Sequence, residues 1–414
     1  MNSPKINQIE QCRACGNSKL IKFLSLPNMP FTDDFVAPQK RGHEFKADIN
    51  VFVCELCTTV QTQHNVDVAD YYEDYQYSVG GSTLAKSFMK TLAQSLKKAY
   101  YPQIQGIKVL EIGSSDGEQL LAFKETGCKV LGYEPSSLLC EMSHTKGVPT
   151  VQGLFASESI KLLPSDFKEV DVVMLSYTFD HLPDPISFLK TAASILNKKN
   201  GLLVVEIHNL EKIIERQEFC LFEHEHSIYL TEKTVQQICR SVNLVVIDFD
   251  LVPELERRAN SLIFVATLVD SELSSNAMMA RTPEKFSDID FYNQIGLSID
   301  QGILNLEKFV NRYTSNGQKL VGYGAGGRGV MTLAAMKNAN QLAYVVDKRP
   351  KGEGLLMPKT GLPIYPISQL SAEPPDNLLV FSFGYMKEIQ QELAPLGYKP
   401  HQFHSLIDVL AGCF

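Results

Sequence analysis

The stretch KVLEIGSSDG (residues 108–117), followed by EQLLAFKETG (118–127) and KVLGYEPSS (129–137), decides the fold. Its first residues form an apolar, β-branched run of strand length. The next segment places apolar residues at helical spacing and closes on Gly127. The third returns to strand character and ends in Glu134. Strand, glycine turn, helix and strand make one βαβ unit. Farther on, VDVVMLSY (170–177) and GLLVVEIH (201–208) are further continuous apolar runs of the buried, parallel kind. Strands alternating with helices in this way predict an α/β architecture with a doubly wound sheet.

Upstream, TLAKSFMKTLAQSLKKAY (83–100) has the apolar period of a helix. Before it lie short β-like pieces, LIKFLSL (20–26) and FKADINVFVC (45–54), in a segment too small to bury much core by itself. Downstream, FSDIDFYNQIGLSIDQGILNLEKFVNRYT (286–314) reads as a long amphipathic connecting helix. After the break at Ser315-Asn316-Gly317, the runs KLVGYGAGG, LAYVVDK and NLLVFSFG begin a second, smaller β/α series. A chain of 414 residues exceeds what one hydrophobic core supports. Three domains are predicted, at 1–75, 76–285 and 286–414.

With 44% apolar and 21% charged residues the composition is that of a soluble enzyme. The net charge of −8 argues against a general nucleic-acid binder. No run approaches the length of a membrane span, and the N-terminus has no apolar core of signal-peptide length. The expected location is the cytoplasm.

Cys12-x-x-Cys15 and Cys54-x-x-Cys57 are two CxxC pairs separated by 38 residues. Each pair sets two thiolates on one side of a tight turn, and two such knuckles complete a tetrahedral site for a structural Zn2+. Four unrelated cysteines, or two redox pairs, are the alternatives. Cys128, Cys140, Cys220, Cys239 and Cys413 stand singly, and most read as small buried apolar residues.

The turn has the pattern Glu111-x-Gly113-x-x-x-Gly117, with Ser115 at its apex, and Glu134-Pro135 follows one strand later. Glycines let the backbone turn sharply and a ligand approach closely. An acid at Glu134 can accept hydrogen bonds from both hydroxyls of a ribose. A dinucleotide fold is the competitor, but its pyrophosphate sits at a helix N-terminus free of acid. Glu111 and Asp116 would repel phosphate, whereas S-adenosylmethionine carries an ammonium and a sulfonium. The turn is therefore expected to bind S-adenosylmethionine.

These elements together resemble the three-domain, zinc-containing C-methyltransferases that act on nucleotide-linked keto-deoxysugars. The resemblance covers almost the whole chain. It includes the paired CxxC motifs, Tyr75-Gln-Tyr77-Ser, VLEIGSSDG with GYEPS, Asp180-His181 with LPDP, His224-Glu225-His226, GYGAGGRG, VVDKRP and LPIYP. It implies a central class I methyltransferase Rossmann-like domain, a small N-terminal zinc-binding domain and a C-terminal Rossmann-like domain. It implies His226 as the base that makes an enolate, with Glu225 and His181 as its polar neighbours and Tyr77, less directly Tyr75, near the sugar. By the residues alone, His181 could be a satisfied loop histidine, the tyrosines packing residues, and His224 and His226 metal ligands sharing one face of an extended strand.

The sequence departs from that family at three places. Glu223 stands where a tyrosine usually precedes His-Glu-His, so a carboxylate could raise a nearby histidine or replace the phenol as a sugar contact. The strand that usually ends in Glu-Val-Pro reads Glu206-Ile-His208, and the lysine of the last glycine turn is Arg328. That turn, Gly322 to Arg328, could alone be a dinucleotide fingerprint with Asp347 as the ribose acid. The resemblance implies instead a domain that closes over the nucleotide-sugar, with Gly324 and Arg328 as substrate contacts. A purely structural domain is the third alternative. The expected activity is C-methylation of an NDP-linked 4-keto-6-deoxysugar. A nitrogen or oxygen acceptor, or a non-catalytic binding protein, are the other possibilities.

Overall fold

The computed structural model describes residues 6–66, 83–258, 260–350 and 352–414. The central sheet has seven strands: β1 (Lys108–Ile112), β2 (Lys129–Glu134), β3 (Thr150–Gln152), β4 (Val172–Ser176), β5 (Leu202–His208), β6 (Leu244–Asp248) and β7 (Ser261–Leu268). Their order is β6-β7-β5-β4-β1-β2-β3. Strands β3 to β5 across the sheet are parallel, and β7 runs antiparallel to both β5 and β6. Strand β5 is therefore parallel on one side only. The chain from 244 to 268, which supplies β6 and β7, carries no strand in the sequence reading above. The strand order reverses between β1 and β4, which opens a crevice beyond their carboxyl ends.

Alternation along the strands covers both faces. Val109 packs with Phe88, Leu92 and Leu96 of helix α1 (Thr83–Tyr100) and with Leu120 and Phe123 of α2 (Glu118–Glu125). Leu110 points the other way, into a cluster with Phe188 and Leu189 of α3 (Pro185–Ile195). Helix α3 starts where Asp184 accepts a hydrogen bond from the Ser187 amide, 2.9 Å, and Pro185 occupies the first turn.

The N-terminal sheet pairs Leu20–Met29, Ala47–Cys54 and Val60–Thr62 antiparallel. Its fourth strand comes from the middle of the chain: Ile228 pairs with Gln61 and Tyr229 with Val60. The C-terminal sheet has five parallel strands, β8 (Leu320–Tyr323), β9 (Val345–Asp347), β10 (Ile364–Pro366), β11 (Asn377–Val380) and β12 (Phe403–Ser405), ordered β10-β9-β8-β11-β12.

The long helix α4 (Ile289–Thr314) joins these outer parts. One cluster takes in Leu24, Leu26, Ile49 and Val51 from the N-terminal sheet, Ile299, Leu306 and Phe309 from α4, and Val330, Leu333 and Leu379 from the C-terminal domain. The N-terminal segment thus shares a core it could not build alone. At Gly296 a side chain is impossible, because a Cβ would lie 1.9 Å from the Phe23 carbonyl oxygen. Among the described residues no helix is long and apolar enough to cross a membrane.

Candidate active site

The two CxxC knuckles meet. Cys12 Sγ lies 3.6 Å from Cys57 Sγ, and Cys15 Sγ 3.6 Å from Cys54 Sγ. All four sulfurs fall within 4.8 Å of one another, and none is in a disulfide. Thiolates 2.3 Å from a tetrahedral zinc stand about 3.8 Å apart, so the cluster fits that ion with no open position.

The glycine turn brings β1 to α2. Gly113 has φ +70°, and a Cβ there would meet Thr178 Oγ1 at 2.4 Å. Ser115 follows in the left-handed region, φ 48°. Glu134, buried at the end of β2, accepts from the Ser115 amide (2.9 Å) and the Ser136 amide (3.0 Å). A carboxylate has four acceptor positions, so two remain for ribose hydroxyls. Burial raises the Glu134 carboxyl despite both amide bonds. Glu111 is buried behind the turn, and its Oε2 has no hydrogen-bond partner among the described residues. Burial pushes its carboxyl well up, against the pull of Arg258 and with Asp116, Glu134 and Glu206 nearby. Asp116 differs from expectation: Lys146 pairs with it at 2.8 Å, so it adds little free negative charge to the turn. An acid-lined turn with a pinned carboxylate suits a positively charged adenosyl ligand better than a pyrophosphate.

Beyond β4 and β5, three histidines gather. His226 Nδ1 lies 2.9 Å from the Leu221 carbonyl oxygen, so it donates there in the neutral ring and leaves Nε2 as an acceptor. The His181 ring stands edge-on to it at 4.7 Å, and the His208 ring lies at 5.0 Å. Asp180 Oδ2 takes the His208 Nδ1 hydrogen at 2.7 Å. Burial pushes His181 down to about 3, with His226 as the second cause. Burial also lowers His208, partly offset by Asp180, while that bond and the neighbouring imidazoles hold the buried Asp180 carboxyl well below its usual range. For His226, burial is outweighed by the carboxylates of Glu223 and Asp180, and the net shift is upward.

Glu223, three residues before His226, stands between these histidines and the C-terminal domain. Its Oε2 is 3.8 Å from His226 Nε2, and its Oε1 is 3.1 Å from where a Cβ on Gly327 would sit. Gly327 opens the helix α5 (Gly327–Ala335) of the C-terminal domain. Burial drives the Glu223 carboxyl up to about 8. Next to it, Arg328 Nε donates to Glu218 Oε2 at 3.2 Å, with its guanidinium over the Phe383 ring. Gly324 has φ +102°, and a Cβ there would meet Ser382 Oγ at 2.5 Å. Asp347 accepts from the Ala325 amide at 2.8 Å, which repeats the tie between Glu134 and the first turn.

Three family models match this chain in tandem: a zinc-binding domain over residues 12–72, a methyltransferase domain over 85–248 and a C-methyltransferase C-terminal domain over 270–405. Together the three matches make this chain an S-adenosylmethionine-dependent C-methyltransferase with an N-terminal zinc-binding domain. This C-methyltransferase is similar to C-methyltransferase NovU of Streptomyces niveus, 23% identical over 391 residues that span 93% of this chain and 92% of that one. The CcbJ methyltransferase of Streptomyces caelestis overlaps 49% of this chain and 96% of its own (15% identity, TM-score 0.35). The PH0226 protein of Pyrococcus horikoshii OT3 overlaps 48% of this chain and 98% of its own (16% identity, TM-score 0.38). The enzyme is an S-adenosylmethionine-dependent methyltransferase, and its four-cysteine cluster is a site for structural zinc.

Most of the expected site residues come together in this C-methyltransferase, but His224 does not. The sequence groups it with His226 among the catalytic candidates, and an extended strand would set both on one face. A bend at His224-Glu225 turns the two rings apart. His224 Nε2 bonds the Met29 carbonyl and its Nδ1 meets His64 Nε2, both at 2.9 Å, with the ring edge-on to the stacked rings of Phe31 and Phe45. With both nitrogens engaged in the N-terminal domain, His224 is a strut rather than a catalytic group. Glu225 turns toward the same domain, where its Oε1 accepts from Thr32 Oγ1 at 3.3 Å. Tyr75 and Tyr77 lie outside the described residues. Pro135 follows Glu134 at the turn into the helix Ser137–Thr145.

Burial holds His64 and His224 down near about 4. The unfolded chain, with histidines near the ordinary value of about 6.5, then binds more protons between those limits. Stability is therefore complete above about 6.5 and falls as pH drops toward about 4, by a few kcal/mol. Urea midpoints at pH 7 and pH 5 should show this, with a smaller fall in His224→Gln. Equal pH slopes in the two proteins would sink the assignment.

His208, Asp180, Tyr177 and Arg258 were not among the expected site residues. The Arg258 guanidinium lies 4.7 Å from the centre of the Tyr177 ring, and that ring lies 4.5 Å from His208. For His208 a signal existed: a polar residue at the carboxyl end of a buried strand, where doubly wound sheets bind ligands.

Proposed function

We propose that this enzyme methylates a carbon beside the ketone of a nucleotide-linked 4-keto-6-deoxysugar, with His226 as the base. The observation that carries the reading is the pinned imidazole: Nδ1 held on Leu221, Nε2 facing the Glu223 carboxyl at 3.8 Å beyond the sheet's carboxyl ends. A base must reach the carbon-bound proton within hydrogen-bond distance, and a fixed tautomer provides the lone pair. When bound, S-adenosylmethionine supplies an electrophilic methyl group on its sulfonium. Glu134, Glu111, Gly113, Ser115 and Gly117 would hold it, and Pro135 would border the adenosine.

Glu223 takes the place of the family's tyrosine. Burial favours its protonated form, so it can donate to the oxygen of the forming enolate as a phenol would. One proton serves the Glu223–His226 pair. When it rests on Glu223, the charge that raises His226 is gone and the imidazole is neutral. His181 and Glu225 would border the base, and Tyr75 and Tyr77 would contact the sugar. Gly324 and Arg328, at the facing turn of the C-terminal domain, would contact the nucleotide. The parallel between Asp347 and Glu134 supports a ligand at that turn.

The test is a panel of thymidine, uridine and cytidine diphosphate 4-keto-6-deoxysugars, with product analysis by NMR. His226→Ala is expected to lower the rate at least ~100-fold, the lower end for a lost general base. Affinity for adenosylhomocysteine should be unchanged. Full turnover in the variant, or a methyl group on oxygen, would refute the reading.

A further inference from the structure

Methylation of carbon leaves a proton behind. The C–H bond breaks, its electron pair forms the new C–C bond, the donor's C–S bond breaks toward sulfur, and the proton stays on the base. If His226 is that base, as proposed above, it must shed this proton before the next cycle. Its side chain is 5% exposed, and Nδ1 is already committed to Leu221. The proton therefore waits on a buried Nε2, beside the Glu223 carboxyl.

The neighbours of His226 differ in what they can do with it. Glu223, at 3.8 Å, is 11% exposed and closed over by Gly327. The His181 ring packs edge-on at 4.7 Å and is half-buried like His208, but burial holds its imidazole down to about 3, which disfavours a second positive charge. His208 differs in the carboxylate that holds its ring. Its side chain is 17% exposed, its ring centre lies 5.0 Å from that of His226, and a nitrogen of each lies within 4.8 Å of the other, a separation that one water can bridge. Asp180 holds its Nδ1 hydrogen at 2.7 Å, which fixes Nε2 as the acceptor and stabilises the imidazolium once formed, as the aspartate of a Ser-His-Asp triad does. Tyr177 also lies against the ring, at 4.5 Å. Arg328 is the cation nearby that disfavours a lasting charge, so the proton moves on.

We propose that His208, held by Asp180, carries the proton released by methyl transfer from His226 to solvent. Nε2 of His226 gives up the proton, Nε2 of His208 takes it through the water and passes it outward, and the Nδ1–H stays on Asp180 throughout. His208 is a positioning and relay residue here, distinct from the base.

The experiment compares first and later turnovers by rapid quench. It uses labelled S-adenosylmethionine with dTDP-4-keto-6-deoxyglucose, or whichever panel member the wild type methylates fastest. In His208→Gln, which can still bond Asp180 but cannot shuttle, the first turnover should match wild type. Steady-state turnover should then fall about 100-fold, as for a lost proton transfer, and recover with added imidazole. Equal adenosylhomocysteine affinity shows that the variant is folded, and His208→Asn replaces it otherwise. Equal slowing of both phases, or no slowing, would overturn the proposal. So would a second bound metal beyond the zinc that the variant lacks, because Asp180, His208 and His226 offer donor atoms within 4.8 Å of one another. His226→Ala should show no first turnover. If it does, the assignment of the base fails rather than that of the relay.

Discussion

Replacing Cys54 by serine should strip the zinc from the protein and abolish methyl transfer, while the glycine turn still binds adenosylhomocysteine. Structural zinc sites contribute roughly 10–16 kcal/mol of apparent binding free energy, so this loss unfolds the small sheet that the ion anchors. The damage would not stop there. Thr62 Oγ1 donates to the His226 carbonyl at 3.1 Å, the Thr62 amide donates to the Ser227 carbonyl at 3.2 Å, and Ile228–Tyr229 completes the sheet. Arg13, beside the first knuckle, ties this region together through the carbonyls of Thr62, His64 and Pro183. Metal content, calorimetry with adenosylhomocysteine and product formation would be measured on one preparation. Normal turnover in a zinc-free variant would show that the metal has no hold on His226.

Arg258→Met is expected to give the largest loss of stability in the central domain, about 3–5 kcal/mol, because it strands a buried carboxylate. Glu206 is fully buried on β5. Its Oε1 accepts from Arg258 Nε at 3.1 Å and from Ser261 Oγ at 2.8 Å, while Oε2 takes a second guanidinium bond and one from Ser176 Oγ at 2.6 Å. Two hydroxyls cannot stand in for the cation. Urea denaturation should show the shift, and adding Glu206→Gln should recover part of it by removing the orphaned charge. A change below about 1 kcal/mol would mean that water reaches the pair.

The parts of this molecule that were legible in the sequence are those whose signal is local. The run from Lys108 to Glu134 announces strand, turn, helix and strand through its own spacing. The two CxxC pairs announce their ligand geometry regardless of the 38 residues between them. What stayed hidden depends on long-range pairing. Nothing in Ile228-Tyr229 says that two residues of the middle domain will extend the N-terminal sheet. Strand β7 enters antiparallel, a direction that its apolar content does not encode. The reading of His224 assumed an unbroken strand, and one bend sends it to His64 instead of the pocket. Asp116 is a subtler case: its charge was visible, but Lys146, 30 residues later, was not seen as its partner.

The cluster that joins Leu24 and Val51 to Phe309 and Leu379 has a consequence for dissecting the enzyme. The first and last stretches of the polypeptide form one folding unit, interrupted in sequence by the Rossmann-like middle. A fragment that ends before Asp288 would leave Phe23, Leu26 and Ile49 without the helix that seals them, and a fragment that starts at Asp288 would lack the strands that cover Ile299. Shortened forms from either end should precipitate as apolar interior is laid open. Study of one terminal module therefore needs both present, supplied in trans or linked as a permuted chain.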